Sequence, residues 1–163
     1  VRRQRQMCIR DRDNTVQHAG VVIGYNGLAG HTFVGNEPDD VGYNAYVIQA
    51  RDYSAVTAAC LMVKASLYDE VGGFEEELEV AFNDVDFCLK VREKGYLVVY
   101  NPYAVLYHYE SKSRGYEDTP EKRNRFEKEA FFTYNKWEKI LADGDPCYNP
   151  NLTLSNSDFS LRE

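Results

Sequence analysis

One helix and the strand that comes after it constrain the fold most. The helix begins at Asn83, a good N-cap residue, and Gly95 provides its stop. Asp84 and Asp86 lie in the first turn, where the helix dipole stabilises negative charge. The apolar run Tyr96–Tyr100 comes directly afterwards and has the composition of a strand. A helix joined to a strand by so short a turn predicts a layer of helices packed on a sheet.

The rest of the chain alternates helix and strand patterns in the same way. Short apolar runs predict strands, and capped segments with helical spacing predict helices. The predicted elements are strands at Val21–Gly24, Ser54–Val63 and Ala104–His108, a long loop at Tyr25–Gly42, a turn at Asn101-Pro102, and helices at Lys64–Val71 and from Thr119 onward. The apolar stripe of the last helix is predicted at Phe126, Ala130, Tyr134, Trp137 and Leu141. This order predicts an α/β fold, with a mixed or parallel sheet flanked by helices.

Composition and charge exclude several classes of protein. The chain has 163 residues, 44% of them hydrophobic, which suits one domain with a real core. A formal net charge of -7 argues against a nucleic-acid partner, because binding phosphates needs a basic face. The longest apolar run has roughly 5 residues, far below the ~18 of a membrane span. The four cysteines form no C-x-x-C pair, so we expect reduced thiols and a soluble, cytoplasmic protein.

The first twelve residues, VRRQRQMCIRDR, differ sharply from the rest of the chain. They are strongly basic and show neither helical nor strand periodicity. They also resemble a peptide translated from sequencing-adaptor DNA. We therefore expect residues 1–12 to be non-native and residues 13–163 to form the domain, with a natural basic arm as the alternative. The D-x-D match at Asp11-Arg12-Asp13 spans this junction and carries no prediction.

The acidic pair at the start of the helix has a structural and a catalytic interpretation. Helix capping alone explains most carboxylates in a first turn. Asp84 and Asp86 point about 200° apart, however, so they cannot easily share one role. Asp86 is three positions after Asn83, where its side chain can reach back to the cap as in a capping box. Asp84 is thus the freer carboxylate and the candidate general base.

A histidine and a basic loop come after the predicted strands. His108 is either a metal ligand or an ordinary packed or exposed side chain. The loop ESKSRG contains Ser111, Lys112, Ser113 and Arg114, which suits either a diphosphate site or a solvated surface turn.

The order of these features along the chain is more informative about the protein family than any one of them. The segment GGFEEELEVAFNDVDFCLKVREKGYLVVYNPYAVLYHYESKSRG resembles the C-terminal half of family 2 glycosyltransferases, nucleotide-sugar-dependent enzymes of the A-type fold. Their pattern runs T-G-A, G-G-F-D-E, E-D-x-D, G-Y, P-x-A and H. The resemblance covers roughly Asn14 to Leu161. It implies the C-terminal portion of a mixed-sheet glycosyltransferase fold with flanking helices.

Site roles carry over from the resemblance residue by residue. Asp84 matches the base that acts on the acceptor hydroxyl, and His108 matches a histidine that completes a site for Mn or Mg. The predicted substrate-binding residues are Gly72, Gly73, Phe74 and Glu75 on the acceptor side, Asp86 of the E-D-x-D pattern, and Ser111, Lys112 and Arg114 beside the donor diphosphate.

The chain also departs from the pattern of that family. Ala58-Ala59 stands where T-G-A has glycine and alanine, and Asn83 replaces a glutamate beside the base. The family's donor-binding half, with its own D-x-D motif, would lie upstream of Asp13. We therefore expect residues 13–163 alone to be inactive.

The implied reaction is sugar transfer with inversion from a nucleoside-diphosphate sugar, such as a UDP- or dTDP-sugar, in bacterial surface polysaccharide synthesis. The implied acceptor is a saccharide or a lipid-linked saccharide. The resemblance also allows peripheral association of the protein with the inner face of the membrane. One alternative is a non-catalytic carbohydrate- or protein-binding module of the same fold, with Tyr103, Tyr107 and Tyr109 as a sugar platform. Another is a metal-dependent phosphoesterase using Asp84, Asp86 and His108, which lacks the expected additional His/Asp clusters.

Overall fold

The computed structural model of the chain describes residues 3–109 and 119–163, with the backbone alone for residues 3–8. Most strands precede the helices, and the main sheet takes its strands from residues 3–62 and 97–107. The strands are β1 (Arg3–Arg10), β2 (Val16–His18), β3 (Val21–Ile23), β4 (Ala29–His31), β5 (Arg51–Tyr53), β6 (Leu61–Met62) and β7 (Leu97–Tyr107). The helices are α1 (Ala65–Glu70), α2 (Asn83–Glu93), α3 (Pro120–Lys136) and α4 (Glu138–Asp143).

The main sheet is mixed, as the sequence predicts. Its strand order is β2-β1-β7-β5, and β6 pairs with β1. β1 and β7 run parallel, whereas the β1–β2, β1–β6 and β5–β7 pairs are antiparallel. β3 and β4 form a separate hairpin, linked to the segment after β5 by a bridge between Val21 and Ala55. Helix and mixed sheet together make an α/β fold.

β1 lies in the basic segment that the sequence pattern places outside the fold. It occupies a central place in the sheet, between β2 and β7, and the side chain of Ile9 is only 1% exposed. The lack of periodicity in this segment therefore does not exclude a strand. Backbone N–H and C=O groups pair whatever the side-chain pattern, so a strand can form without strand periodicity in its sequence.

The predicted strand Ser54–Val63 is wrong over most of its length. Only Leu61 and Met62 near its end pair in a strand, as β6, while β5 ends at Tyr53 just before it. Ser54, Ala55 and Val56 are fully buried, but they form no strand, and Thr57 opens a turn by accepting a hydrogen bond from the N–H of Ala59 at 3.3 Å. Burial without regular pairing produces the same apolar sequence signal as a strand.

β7 runs through the predicted turn at Asn101-Pro102. Met7 of β1 pairs with Asn101 of β7, and the next residue of β1, Cys8, pairs with Val105. The three residues of β7 between these pairs, 102–104, therefore bulge out of the ladder. Proline cannot donate to a ladder and is found at such bulges. The residues that predicted a turn therefore mark an irregularity inside one strand.

The predicted helices are present with boundaries shifted by a few residues, except that the last one is divided at Trp137 into α3 and α4. Asn83 is the first residue of α2 and not its N-cap, because Phe82 occupies that position in the left-handed conformation with φ of 60° and makes no side-chain cap. α3 begins at Pro120 after the cap residue Thr119, as predicted. Its buried positions are Glu129 and Thr133, with Trp137 directly after the helix, while Phe126 and Tyr134 of the predicted stripe are exposed. The described part of the chain holds no helix long and apolar enough to cross a bilayer.

The core lies between α2 and the sheet and fixes the orientation of α2. The buried side chains of the helix face those of β5 and β7, and its first turn reaches the edge of this layer. The core includes Val85, Phe87, Cys88, Leu89 and Val91 of α2 with Tyr53, Val98 and Tyr100 of the strands.

Candidate functional site

Asp84 lies at the start of α2, half-buried, with both carboxylate oxygens oriented by backbone donors. Oδ1 accepts a hydrogen bond from the N–H of Val85 at 2.8 Å, and Oδ2 accepts one from the N–H of Ala58 at 3.1 Å. A carboxylate oxygen has two lone pairs, so each oxygen keeps capacity for another donor. The arrangement holds the carboxylate in one orientation while leaving it able to accept a proton.

The segment that supports Asp84 is the one where the chain departs from the T-G-A pattern. The contact uses the backbone N–H of Ala58, and Thr57 shapes the turn through its hydroxyl oxygen. Neither contact involves the methyl group of Ala58. An alanine can therefore serve here in place of the usual glycine.

Asp86 has a very different environment. Its side chain is 0% exposed, and Oδ1 accepts hydrogen bonds from Trp137 Nε1 at 2.9 Å and Lys136 Nζ at 2.8 Å. Lys90 Nζ lies 3.2 Å from Oδ2. These partners replace the capping-box contact that the sequence suggested. The carboxylate is enclosed by protein, a position suited to joining α2 to α3 rather than to touching a substrate.

The glycine pair and the two residues after it form a loop in front of α2. Gly72 and Gly73 have φ of +79° and +64°, which glycine adopts without strain. The carbonyl of Gly73 accepts a hydrogen bond from Lys90 Nζ at 2.7 Å. The Phe74 ring is 38% exposed and its centroid lies 5.1 Å from that of Phe87. The loop thus rests on α2 while presenting part of its surface outward.

Glu75 connects the same loop to α3. Its Oε2 lies 2.8 Å from Lys136 Nζ, which also contacts Asp86. The hydrogen bond from Lys136 lowers the pKa of Glu75 below its ordinary value. Burial alone would lower the pKa of Lys136, but its hydrogen bonds to Asp86 and Glu75 outweigh that effect and raise it. Both groups of this ion pair are therefore charged at neutral pH. The sequence predicts Trp137 as part of an apolar stripe, but it does not reveal Lys90, Lys136 or Trp137 as partners of this site, because those contacts join distant segments.

His108 lies just after β7 with its side chain exposed. Its Nδ1 is 2.9 Å from Gln17 Oε1 on β2, and its backbone N–H donates to the carbonyl of Arg10 on β1 at 2.9 Å. Within residues 3–109 and 119–163 no three His, Cys, Asp or Glu side chains are grouped to hold a metal. The described residues alone therefore supply no set of ligands for a metal at His108. Ser111, Lys112 and Arg114 lie outside the described residues.

A second buried carboxylate, Asp145, carries no signal in the sequence beyond marking the end of the last helix. It accepts hydrogen bonds from the N–H groups of Ile23 and Cys147, both at 2.7 Å, and from the Ser54 hydroxyl. Burial raises the pKa of Asp145, although these hydrogen bonds favour its charged form. Asp145 ties the C-terminal tail to β3 and to the segment after β5, which is a structural role.

Comparisons with known proteins find relatives in polysaccharide synthesis. No known family profile and no solved structure matches the chain. It is 52% identical over 150 residues to a protein of Sinorhizobium fredii (strain NBRC 101917 / NGR234) named "Uncharacterized protein y4gI". It is 35% identical over 154 residues to the "O-antigen biosynthesis protein RfbC" of Myxococcus xanthus. These alignments cover 91% and 92% of the chain but only 16% and 12% of the two relatives.

A shorter alignment adds a named transferase. Over 60 residues, 37% of the chain and 20% of the relative, the chain is 35% identical to the "N-acetylglucosaminyl-diphospho-decaprenol L-rhamnosyltransferase" of Mycobacterium tuberculosis. The printed names refer to O-antigen biosynthesis in the one relative and to rhamnosyl transfer in the other.

Proposed function

We propose that the chain is the C-terminal, acceptor-side part of a family 2-like glycosyltransferase domain of the A-type fold. It would serve the transfer of a sugar from a nucleoside diphosphate to an acceptor hydroxyl, in bacterial surface polysaccharide synthesis. The observation that most supports this proposal is the position of Asp84 at the start of α2. Its carboxylate is oriented by the N–H of Ala58 and can still accept a proton. The relatives named for O-antigen biosynthesis and rhamnosyl transfer support the same class of reaction.

In the proposed mechanism Asp84 acts on the acceptor. One of its oxygens takes the proton of the acceptor hydroxyl while the hydroxyl oxygen forms a bond to the anomeric carbon of the donor sugar. The bond from that carbon to the diphosphate breaks on the opposite side, so the configuration inverts and the electron pair leaves with the diphosphate. General-base assistance of this kind contributes about 10²- to 10⁴-fold to the rate.

The other predicted groups have defined places in this proposal. The loop at Gly72–Glu75 borders the acceptor, and Lys112 and Arg114 neutralise the leaving diphosphate. A divalent metal, Mn or Mg, remains part of the proposal for the full-length protein. The mechanism gives it no step, because the residues around His108 do not form a ligand set. A UDP- or dTDP-sugar as donor, a saccharide or lipid-linked acceptor and peripheral membrane association are proposed on the resemblance alone.

Turnover of nucleotide sugars by the full-length protein tests the proposal. We expect the purified protein to release nucleoside diphosphate from at least one UDP- or dTDP-sugar, faster with a saccharide acceptor, and to lose this activity in EDTA. Residues 13–163 alone should release none. Absence of turnover across a broad panel of donors and acceptors would contradict the transferase proposal.

The exposed tyrosines of β7 and the residues just after it favour a second candidate, a carbohydrate-binding module. Tyr103 is 84% exposed, and Tyr107 and Tyr109 are 56% and 51% exposed, so three aromatic side chains close together in sequence face solvent. Aromatic faces can pack on sugar rings without any catalysis. A full-length protein that binds saccharides, shows no turnover and loses binding in Tyr103→Ala would support this candidate over the transferase.

A further inference from the structure

The loop from Gly72 to Phe82, named the acceptor loop, is held at both ends by one helix. Near its N-terminal end, Glu75 forms an ion pair with Lys136 at the end of α3. Near its C-terminal end, the N–H groups of Val80 and Ala81 donate to Glu129 of α3, at 3.3 and 2.7 Å. The acceptor loop leads directly into the helix that begins with Asn83 and carries Asp84.

The two attachment points on α3 lie on the same face. Glu129 and Lys136 are seven residues apart, which is about two turns and about 10 Å along the helix axis. Glu129 is 2% exposed, and its carboxylate contacts both the loop and Arg125 of the same helix, whose Nε lies 3.6 Å from Oε1. One helix face therefore holds both ends of the loop, and neither attachment is a fully exposed surface contact.

Asp86 joins α2 to the same arrangement. Its fully buried carboxylate contacts Lys136 on α3 and Lys90 on α2, and Lys90 in turn donates to the carbonyl of Gly73. A buried carboxylate with two cationic partners is costly to disrupt, because removing it leaves the lysines without compensation. The start of α2, the acceptor loop and α3 are thereby fixed relative to one another.

We propose that α3 is a positioning element for the acceptor loop, with Glu129 holding one end of the loop and Lys136, together with Asp86, holding the other. This inference rests on the proposed function in taking the loop as the acceptor side of the site. It gives Asp86 a positioning role in place of the direct substrate contact that the resemblance implies. The loop and Asp84 must keep a fixed separation for an acceptor hydroxyl to reach the base.

The test uses Lys136→Met, Glu75→Gln and the double variant of the full-length protein, with Lys139→Met as matched control. Lys139 pairs with Asp143 on an exposed surface and is 88% exposed. Amide hydrogen exchange of residues 72–82, read by mass spectrometry, reports the attachment without requiring activity. Steady-state kinetics with varied acceptor report its effect on the site.

We expect Lys136→Met to speed exchange near Glu75 and to raise the acceptor KM about fivefold, with kcat changed less than about twofold. Glu75→Gln should have the same effect to a smaller degree, because Lys136 keeps its contact with Asp86 in that variant. The double variant should be no worse than Lys136→Met alone, since Lys136→Met already breaks the ion pair with Glu75. Glu129→Gln should speed exchange at residues 80–82 instead. Lys139→Met should change neither readout.

Unchanged exchange in Lys136→Met and Glu75→Gln would overturn the proposal, as would additive effects on the acceptor KM. If Lys136→Met does not fold, Glu75→Gln still decides, because Glu75 is partly exposed and breaks the same pair. A wild-type protein without transferase activity would refute the proposed function. The hydrogen-exchange data would still show whether α3 holds the acceptor loop.

Discussion

At the residue scale, two carboxylates two positions apart on α2 have opposite environments. Asp84 is half-buried and accepts hydrogen bonds from backbone N–H groups, whereas Asp86 is enclosed by Lys90, Lys136 and Trp137. The helical rotation of about 100° per residue predicts this divergence from sequence. The partners Lys136 and Trp137 could not be predicted, because they come from a helix about fifty residues later whose packing the local pattern does not specify.

His18 makes stability depend on pH. Its side chain is fully buried, and burial, followed by the neighbouring His31, lowers its pKa well below 6.5. Near pH 6.5, His18 therefore takes up a proton in the unfolded chain but stays neutral in the folded chain. Stability is lost as the pH falls below that value, by at most about 1.4 kcal/mol per pH unit from this residue.

Denaturant unfolding at about pH 8, 6.5 and 5.5 measures this dependence, with His18→Gln as the comparison. Between pH 6.5 and about pH 5.5, we expect the free energy of unfolding to fall less steeply with pH in His18→Gln than in the wild type. In the wild type, the ring of His18 should remain neutral by NMR down to the lowest of these values. A ring that titrates in the folded protein near the ordinary histidine pKa would refute the explanation.

Cys147 should be an unreactive thiol. Burial raises its pKa to about 11, an effect that Arg92 only partly offsets. Because the thiolate is the nucleophile, alkylation by iodoacetamide at about pH 8 should be roughly two orders of magnitude slower than for free cysteine. Peptide-resolved mass spectrometry of the folded protein measures the rate, and the urea-unfolded protein is the control. Rapid alkylation before unfolding would contradict the raised pKa of this half-buried thiol.

At the element scale, the helices were predictable and the strands were less so. Thr119, Pro120 and Gly95 are local signals that act within one turn, so α2 begins and ends close to the predicted residues and α3 begins at the predicted one. The break at Trp137 that separates α3 from α4 was not predicted. Strands depend on partners far away in sequence, and apolar runs do not reveal them. This is why the buried segment at 54–56 has the sequence pattern of a strand without forming one, and why the turn signal at Pro102 marks a bulge in β7.

The glycine pair gives a prediction for the acceptor loop. A Cβ at Gly73 would lie 2.8 Å from the ring of Tyr68, whereas one at Gly72 would meet nothing within 4 Å. Both glycines have positive φ, so replacing either one with alanine costs about 1 kcal/mol of backbone strain. Gly73→Ala should cost about 1–3 kcal/mol more than Gly72→Ala, because the ring must move. Denaturant unfolding of both variants measures the difference, and equal costs would show that the ring of Tyr68 does not constrain the loop.

At the scale of the whole molecule, the sheet needs a strand between β2 and β7, and residues 3–10 fill that place. The pairing is irregular between Met7 and Cys8, and it relies on backbone groups that any sequence provides. We still propose that residues 1–12 are non-native, in which case a strand of the full-length protein would occupy this position. The mixed α/β architecture was predictable from the alternation of elements, but this strand was not.

A sequence read across the 5′ end of the source gene tests that proposal. We expect an uninterrupted reading frame that replaces the codons for VRRQRQMCIRDR and encodes a donor-binding half with a D-x-D motif. A frame that encodes residues 1–12 as they stand, with no such half upstream, would refute it and favour the binding module.

The turnover of Asp84→Asn in the full-length protein tests the central claim most directly. Asparagine keeps an oxygen for the Ala58 N–H but cannot take the proton of the acceptor, so we expect kcat to fall at least about 100-fold. Binding of the donor nucleotide should stay within about twofold, and Asp69→Asn on the exposed face of α1 should leave kcat unchanged. Full activity in Asp84→Asn would contradict the assignment of Asp84 as the base.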